Sequence, residues 1–157
     1  MSNQWSLRPA TREDLPLLFK VEQQTYRSPW TLDHFESELS KPYSYTLVLT
    51  DDETDSQIAG YVVFWLMGEE SEILNLAIDT PYRGLGLAKK MIFQVIRLAS
   101  HKGMKRVVLE VRKSNMAAIQ LYQGCRFSIT HIRKGFYSDG EDAYHMTLYI
   151  DEVQATE

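Results

Sequence analysis

The spacing of apolar and polar residues changes several times along this chain, and each change marks an element. Leu7-Arg8-Pro9 closes a short first strand. Thr11 is followed three residues later by Asp14, the form of a helix capping box, and Leu15, Leu18 and Val21 then recur at helical spacing to about Thr25. Ser28-Pro29-Trp30 breaks that helix. Thr31 caps a second, with Leu32, Phe35 and Leu39 on one face. Residues 43–50 alternate and are rich in β-branched and aromatic side chains, which predicts a strand. A polar, acidic turn over 51–57 follows, then a long apolar strand over 58–67 that pairs back as a hairpin. Residues 72–78 form the next strand.

From Leu85 onward Leu87, Met91, Val95, Leu98 and Ala99 repeat at helical spacing, and Gly103 ends the helix. Residues 106–111 are apolar enough for a strand buried on both faces. Ser114-Asn115 begins a helix that ends near Gly124, and strands at 127–136 and 142–150 close the chain. The order β-α-α-β-β-β-α-β-α-β-β predicts an α/β (α+β) fold with one mixed sheet flanked by helices. The long helix is a crossover that makes 72–78 and 106–111 parallel. Ligands of such sheets sit beyond the carboxyl ends of the parallel strands.

Size and charge narrow the classes. A chain of 157 residues predicts one domain, 1–157, able to bury a core without staples. The net charge of −4 argues against broad binding to nucleic acid and suits a basic peptide substrate. The single cysteine, Cys125, gives no intramolecular disulfide, no apolar run is long enough for a bilayer, and the N-terminus lacks the basic-then-apolar form of a signal peptide. The expectation is a cytoplasmic protein, monomeric or weakly dimeric, with no membrane partner.

The stretch 75–90 carries the first candidate chemistry. A strand turns at Asp79 to Pro81 and runs through Gly84 and Gly86 into the long helix, a form that presents backbone N–H groups and a helix N-terminus to phosphate. It is not a P-loop, since no Gly-Lys-Ser/Thr follows. Lys89 stands where a dinucleotide fingerprint wants a small residue. A plain structural turn remains the alternative. Glu110, set within Val-Val-Leu-Glu-Val, is a carboxylate in a strand that otherwise wants burial. It reads either as a general base or as a strand-end acid paired with Arg112 or Lys113. Asn115 and Tyr122 are two helical turns apart and share a face; the bland readings are a cap and a core residue. Tyr26 and Trp30 read as a packed corner or a groove wall. Cys125 reads as a small buried residue, and His34, His101, His131 and His145 have no metal-ligand spacing, so no metal is assigned.

These residues resemble the GCN5-related N-acetyltransferases. The acetyl-coenzyme A motif of that family, Arg or Gln, two residues, Gly, one residue, Gly or Ala, matches Arg83-Gly84-Leu85-Gly86-Leu87-Ala88 between strand and helix. Ser28-Pro29-Trp30, Asn75-Leu76-Ala77-Ile78, the segments at 109–115 and 117–122, and Glu141-Asp142-Ala143-Tyr144-His145-Met146 are similar to the RimI branch, which acetylates the N-terminal alanine of a small-subunit ribosomal protein. One departure is Gln123-Gly124-Cys125-Arg126-Phe127, where the branch more often has Gly before the Phe.

The resemblance implies a GNAT fold whose central parallel strands splay. It implies acetyl-CoA as cosubstrate, held by the backbone of Leu76, Ala77 and Ile78, by Arg83, Gly84, Leu85, Gly86, Leu87, Ala88 and Lys89, and by Asn115. Glu110 would be the base that takes the proton of the substrate ammonium, and Tyr122 the acid for the leaving thiolate. An α-amino group, with a reference pKa near 8 against about 10.4 for lysine, needs only a modest base. Two other readings are a lysine or small-amine acetyltransferase of the same fold and a non-catalytic acyl-CoA binding module.

Overall fold

The computed structural model describes residues 4–52 and 57–150, so part of the polar turn predicted at 51–57 lies outside the described residues. Strands β1 (Trp5–Pro9), β2 (Ser44–Asp51), β3 (Ile58–Met67), β4 (Glu70–Ile78), β5 (Arg106–Arg112), β6 (Ser128–Arg133) and β7 (Ala143–Tyr149) alternate with helices α1 (Leu15–Thr25), α2 (Leu32–Leu39), α3 (Leu87–His101) and α4 (Met116–Gly124). The predicted order of elements is the observed one, with 3-10 turns added at Arg12–Asp14 and Thr80–Tyr82. The seven strands form a mixed sheet in the order β1-β2-β3-β4-β5-β7-β6. β4 and β5 are parallel, as the crossover requires, whereas β1–β2, β2–β3, β5–β7 and β6–β7 pair antiparallel. Among the described residues no helix is long and apolar enough to cross a membrane.

The chain divides into two compact units, one of residues 1–65 with 75–91 and the other of 66–74 with 92–157. In the first unit the capping box forms: the Asp14 carboxylate accepts from the Thr11 N–H at 2.8 Å, and Asp14 N–H donates to the Thr11 carbonyl at 3.0 Å. α1 buries Leu15, Leu18 and Val21, but also Glu22. Thr31 caps α2 by accepting from His34 N–H at 3.1 Å. The buried face of α2 is Phe35 with Glu38 rather than Leu32, which is 42 % exposed. Leu32 stands at the first position of the helix, beyond the turn that Phe35 buries.

Both buried glutamates of this unit are fully engaged. Glu22 Oε1 accepts from Tyr61 Oη at 2.5 Å and Asn75 Nδ2 at 2.7 Å, and its Oε2 accepts from Trp30 N–H at 2.9 Å. Glu38 accepts from Trp65 Nε1 and Ser44 Oγ, each at 2.7 Å, and from the Lys41 ammonium. Burial pushes the Glu38 carboxyl up, but these donors outweigh it and hold it below the ordinary carboxylate range.

In the second unit β5 buries Val107, Val108, Leu109 and Val111, so the predicted two-sided burial holds for the apolar residues of this strand. β6 is exposed along its whole length. α4 ends in a Schellman arrangement, Phe127 N–H to the Tyr122 carbonyl and Arg126 N–H to the Gln123 carbonyl, each 3.0 Å. That motif wants glycine at its left-handed position. Here Arg126 takes it at φ 77°, alone in positive φ among the described non-glycine residues.

Candidate functional site

In the first unit the end of β4 is built to present amides. Asp79 N–H donates to the Ala59 carbonyl at 2.8 Å, so Asp79 and, by strand alternation, Ala77 face β3. The backbone groups of Leu76 and Ile78 therefore face away from β3. Their carbonyls are occupied: Leu76 by the Tyr26 hydroxyl, Ile78 by Arg83 Nε at 3.0 Å. The registered parallel pairs of β4 end at Ile73 opposite Leu109, so the amides of Leu76 and Ile78 lie past the last rung. Of the three residues expected to bind through this strand, Leu76 and Ile78 aim their N–H groups to one side and Ala77 to the other. Gly60 on β3 explains the tight seat of this strand end. A Cβ there would stand 2.6 Å from the Ala77 carbonyl oxygen and 2.8 Å from Ile78 Cδ1.

The turn that follows is held at its start by Asp79, whose carboxylate accepts from Thr80 N–H at 2.8 Å. Gly84 and Gly86 take the left-handed region at φ 81° and 76°, and a Cβ on either would meet nothing within 4 Å. Their glycines thus serve conformation and leave the backbone open on that side. The first helical bond of α3 at this end joins Lys90 N–H to the Gly86 carbonyl at 3.3 Å, which leaves the amides of Leu87, Ala88 and Lys89 as the helix's unsatisfied donors. Leu85 is 60 % exposed and Leu87 is buried. Arg83, expected among the residues that hold the cosubstrate, turns its guanidinium back onto Ile78 and, at 3.3 Å, onto Thr25 Oγ1.

In the second unit Glu110 sits on β5 with its side chain 12 % exposed. Neither predicted neighbour pairs with it. Arg112 instead binds Asp139 and Glu141 at 2.9 and 2.8 Å and lies over the Tyr137 ring, because alternation turns Glu110 and Arg112 onto the face opposite Val111 while their partners come from other strands and loops. Glu110 Oε1 is held by His145 Nδ1 at 2.6 Å and by Arg133 Nε at 3.1 Å. Glu110 Oε2 is buried and has no hydrogen-bond partner among the described residues. The Glu72 carboxyl on β4 is raised by its burial and then by the charges of Glu110 and Glu70.

Tyr122 is buried on α4 with its ring edge-on to Phe127, and burial, then Tyr137 and Cys125, push its phenol up to about 12. Asn115 is the N-cap of α4, its Oδ1 accepting from Ala118 N–H at 3.2 Å, so the capping geometry foreseen for it is realised. Cys125 is buried, as expected of a small packing residue.

Sequence reasoning missed His145, Arg133 and Glu72. His145 is the register partner of Glu110 across β5 and β7, a pairing that spacing along one strand does not reveal. The usable signal was a histidine at the middle of the last strand, within the Glu141-Asp142-Ala143-Tyr144-His145-Met146 segment. Tyr26 and Trp30 make the packed corner: Tyr26 ties to Leu76, and Trp30 stacks on His34 at 3.9 Å. The acidic residues Glu36, Glu38 and Glu141, which could draw a basic peptide, are each bound to a basic residue of the fold, Arg12, Lys41 and Arg112.

Residues 10–127 match the model of the acetyltransferase (GNAT) family. A Bacillus subtilis (strain 168) protein, named provisionally as a [ribosomal protein bS18]-alanine N-acetyltransferase, is 36% identical over 97% of this chain and 100% of its own length. The [ribosomal protein bS18]-alanine N-acetyltransferase of Escherichia coli (strain K12) is 32% identical over 87% of this chain and 92% of its own. The crystal structure of the ribosomal-protein-S18-alanine N-acetyltransferase from Escherichia coli superposes with a TM-score of 0.83 at 29% identity, covering 94% of both chains.

Proposed function

The chain belongs to the acetyltransferase (GNAT) family and is an N-acetyltransferase, and from that premise we propose that it acetylates the α-amino group of a protein N-terminus, that of a small-subunit ribosomal protein beginning with alanine. We read residues 1–157 as one domain, because the family match at 10–127 runs through both compact units, and the cytoplasm as its place of work, where such a substrate is made. Enzymes of this family use acetyl-CoA. The residues present fit it: an open, doubly left-handed glycine turn followed by three unsatisfied helix amides suits a pyrophosphate, and amides past the last rung of β4 suit an amide-rich pantetheine arm.

When bound, that donor supplies a thioester carbonyl. The Leu76 and Ile78 amides would donate to its oxygen and offset the charge that grows there, while the amides of 84–89 and Asn115 would hold the rest. Glu110 takes the proton from the substrate ammonium, and the freed amine attacks directly, so that a C–N bond forms as the C–S bond breaks. A phenol held near 12 is a weak acid toward a thiolate whose reference pKa is about 8.5. Tyr122 therefore serves by donating a hydrogen bond to the departing sulfur more than by full proton transfer. The observation that carries the reading is Glu110 itself, a buried carboxylate with one oxygen fully engaged and the other without a partner.

The acceptor is tested with acetyl-CoA and short peptides beginning Ala-Arg, the added group being located by mass spectrometry. Acetyl on the α-amine, absent from peptides with a blocked N-terminus, is the expected result. Acetyl only on lysine side chains or small amines overturns the acceptor and leaves the family standing.

A further inference from the structure

Resting on the reading of Glu110 as the base, we propose that His145 is its positioning residue, holding Oε1 so that Oε2 alone is left to take the substrate proton. The asymmetry of the carboxylate is the starting point. Its two close polar contacts, a hydrogen bond from His145 Nδ1 at 2.6 Å from β7 and an ion pair with Arg133 Nε at 3.1 Å from β6, converge on Oε1. Oε2 has no hydrogen-bond partner among the described residues and is buried. A carboxylate with two lone pairs per oxygen rotates freely about its last bond unless one oxygen is pinned, and a hydrogen bond to a charged oxygen is the stronger kind.

His145 is suited to pinning it. Its backbone is fixed as the cross-strand partner of Glu110, its side chain is 12 % exposed, and its ring stacks on His131 at 4.3 Å and 19°. The imidazole is thus fixed by a stacked ring on one face and by its hydrogen bond to the carboxylate. The groups that face Glu110 or its partner are Glu72 on β4, Arg133 and the exposed His131 on β6, Tyr137 in the loop before β7, and His145. Of these His145 makes the shortest polar contact to the carboxylate. Arg133, at 47 % side-chain exposure, makes only the longer ion pair.

The test compares His145→Ala, His145→Asn and His145→Gln, alone and combined with Glu110→Gln, in steady-state acetylation of a peptide N-terminus. Asparagine brings an amide N–H near the place of Nδ1, glutamine near that of Nε2. His145→Ala is expected to lower kcat by roughly tenfold or more with the KM for acetyl-CoA unchanged, a part of the hundredfold or larger effect of a general base. His145→Asn recovers most of the loss and His145→Gln does not. In the Glu110→Gln background the alanine substitution has no further effect. Wild-type turnover in His145→Ala, an equal loss in both backgrounds, or equal activity of the Asn and Gln variants overturns the proposal. Should the alanine variant fail to fold, the Asn and Gln pair decides it alone. Glu110→Gln retaining wild-type turnover is a different result: it sinks the base, and the positioning role with it.

Discussion

Each compact unit buries glutamate, and the two treat it in opposite ways. In the first, Glu22 and Glu38 gather three donors each and leave neither carboxylate oxygen idle. In the second, Glu110 takes one hydrogen bond and one ion pair on the same oxygen and, among the described residues, no hydrogen bond on the other. A buried charge without partners is costly, so full satisfaction marks a structural role and an orphaned oxygen marks a group kept available for chemistry. The first unit builds its candidate site from backbone instead: amides of a strand end, two left-handed glycines and a helix start. Backbone donors carry no proton that titrates near neutrality, which suits holding a ligand. Moving a proton needs the side chains of the second unit.

That contrast is breakable. The largest effect is expected of Glu110→Gln, which lowers turnover about a hundredfold or more while acetyl-CoA binding, measured by calorimetry, stays as in the wild type. Gly86→Ala does the reverse, raising the KM for acetyl-CoA several-fold at little change in kcat and costing about 1 kcal/mol of stability through its positive φ. If either variant moved both quantities alike, the division of labour would be wrong. Gly60→Ala comes next. Its new methyl overlaps the Ala77 carbonyl, and denaturant titration is expected to show a loss of about 1–3 kcal/mol together with weaker acetyl-CoA binding. A loss below about 0.5 kcal/mol would mean that β4 gives way freely.

Tyr122 sharpens the same contrast through pH. Its folded pKa of about 12 lies above the unfolded value near 10, so between those values the native state keeps a proton that the unfolded chain has lost. The stability it contributes is whole below about pH 10 and drains away by about pH 12, a difference of about 3 kcal/mol. Tyr122→Phe should therefore fall less steeply over that window than the wild type in parallel denaturant titrations. Identical slopes would mean that the phenol is not so deeply buried. The smallest effect is expected at Arg126→Gly, which relieves a φ of 77° and adds about 0.5–1 kcal/mol with activity unchanged. A loss of stability there would mean that the arginine side chain contributes more than its backbone costs.

Local pattern alone read the order of the elements, the caps at Thr11 and Thr31, the stop at Gly103, the glycine turn, and Glu110 as an anomaly in an apolar strand. These features are written within a few residues of one another, in helical and strand periods and in turn chemistry, so the chain itself determines them. Tertiary structure decided the rest. Which oxygen of Glu110 is held follows from the register of β5 with β7, which brings His145 across from 35 positions away. The burial of Glu22 and Glu38 follows from donors on distant strands, and the return of Arg83 onto Ile78 from the shape of its turn. A periodicity sees only neighbours along one element. Hydrogen-bond partners drawn from separate elements exist only once the sheet has set its register, and they determine which of several buried carboxylates stays reactive.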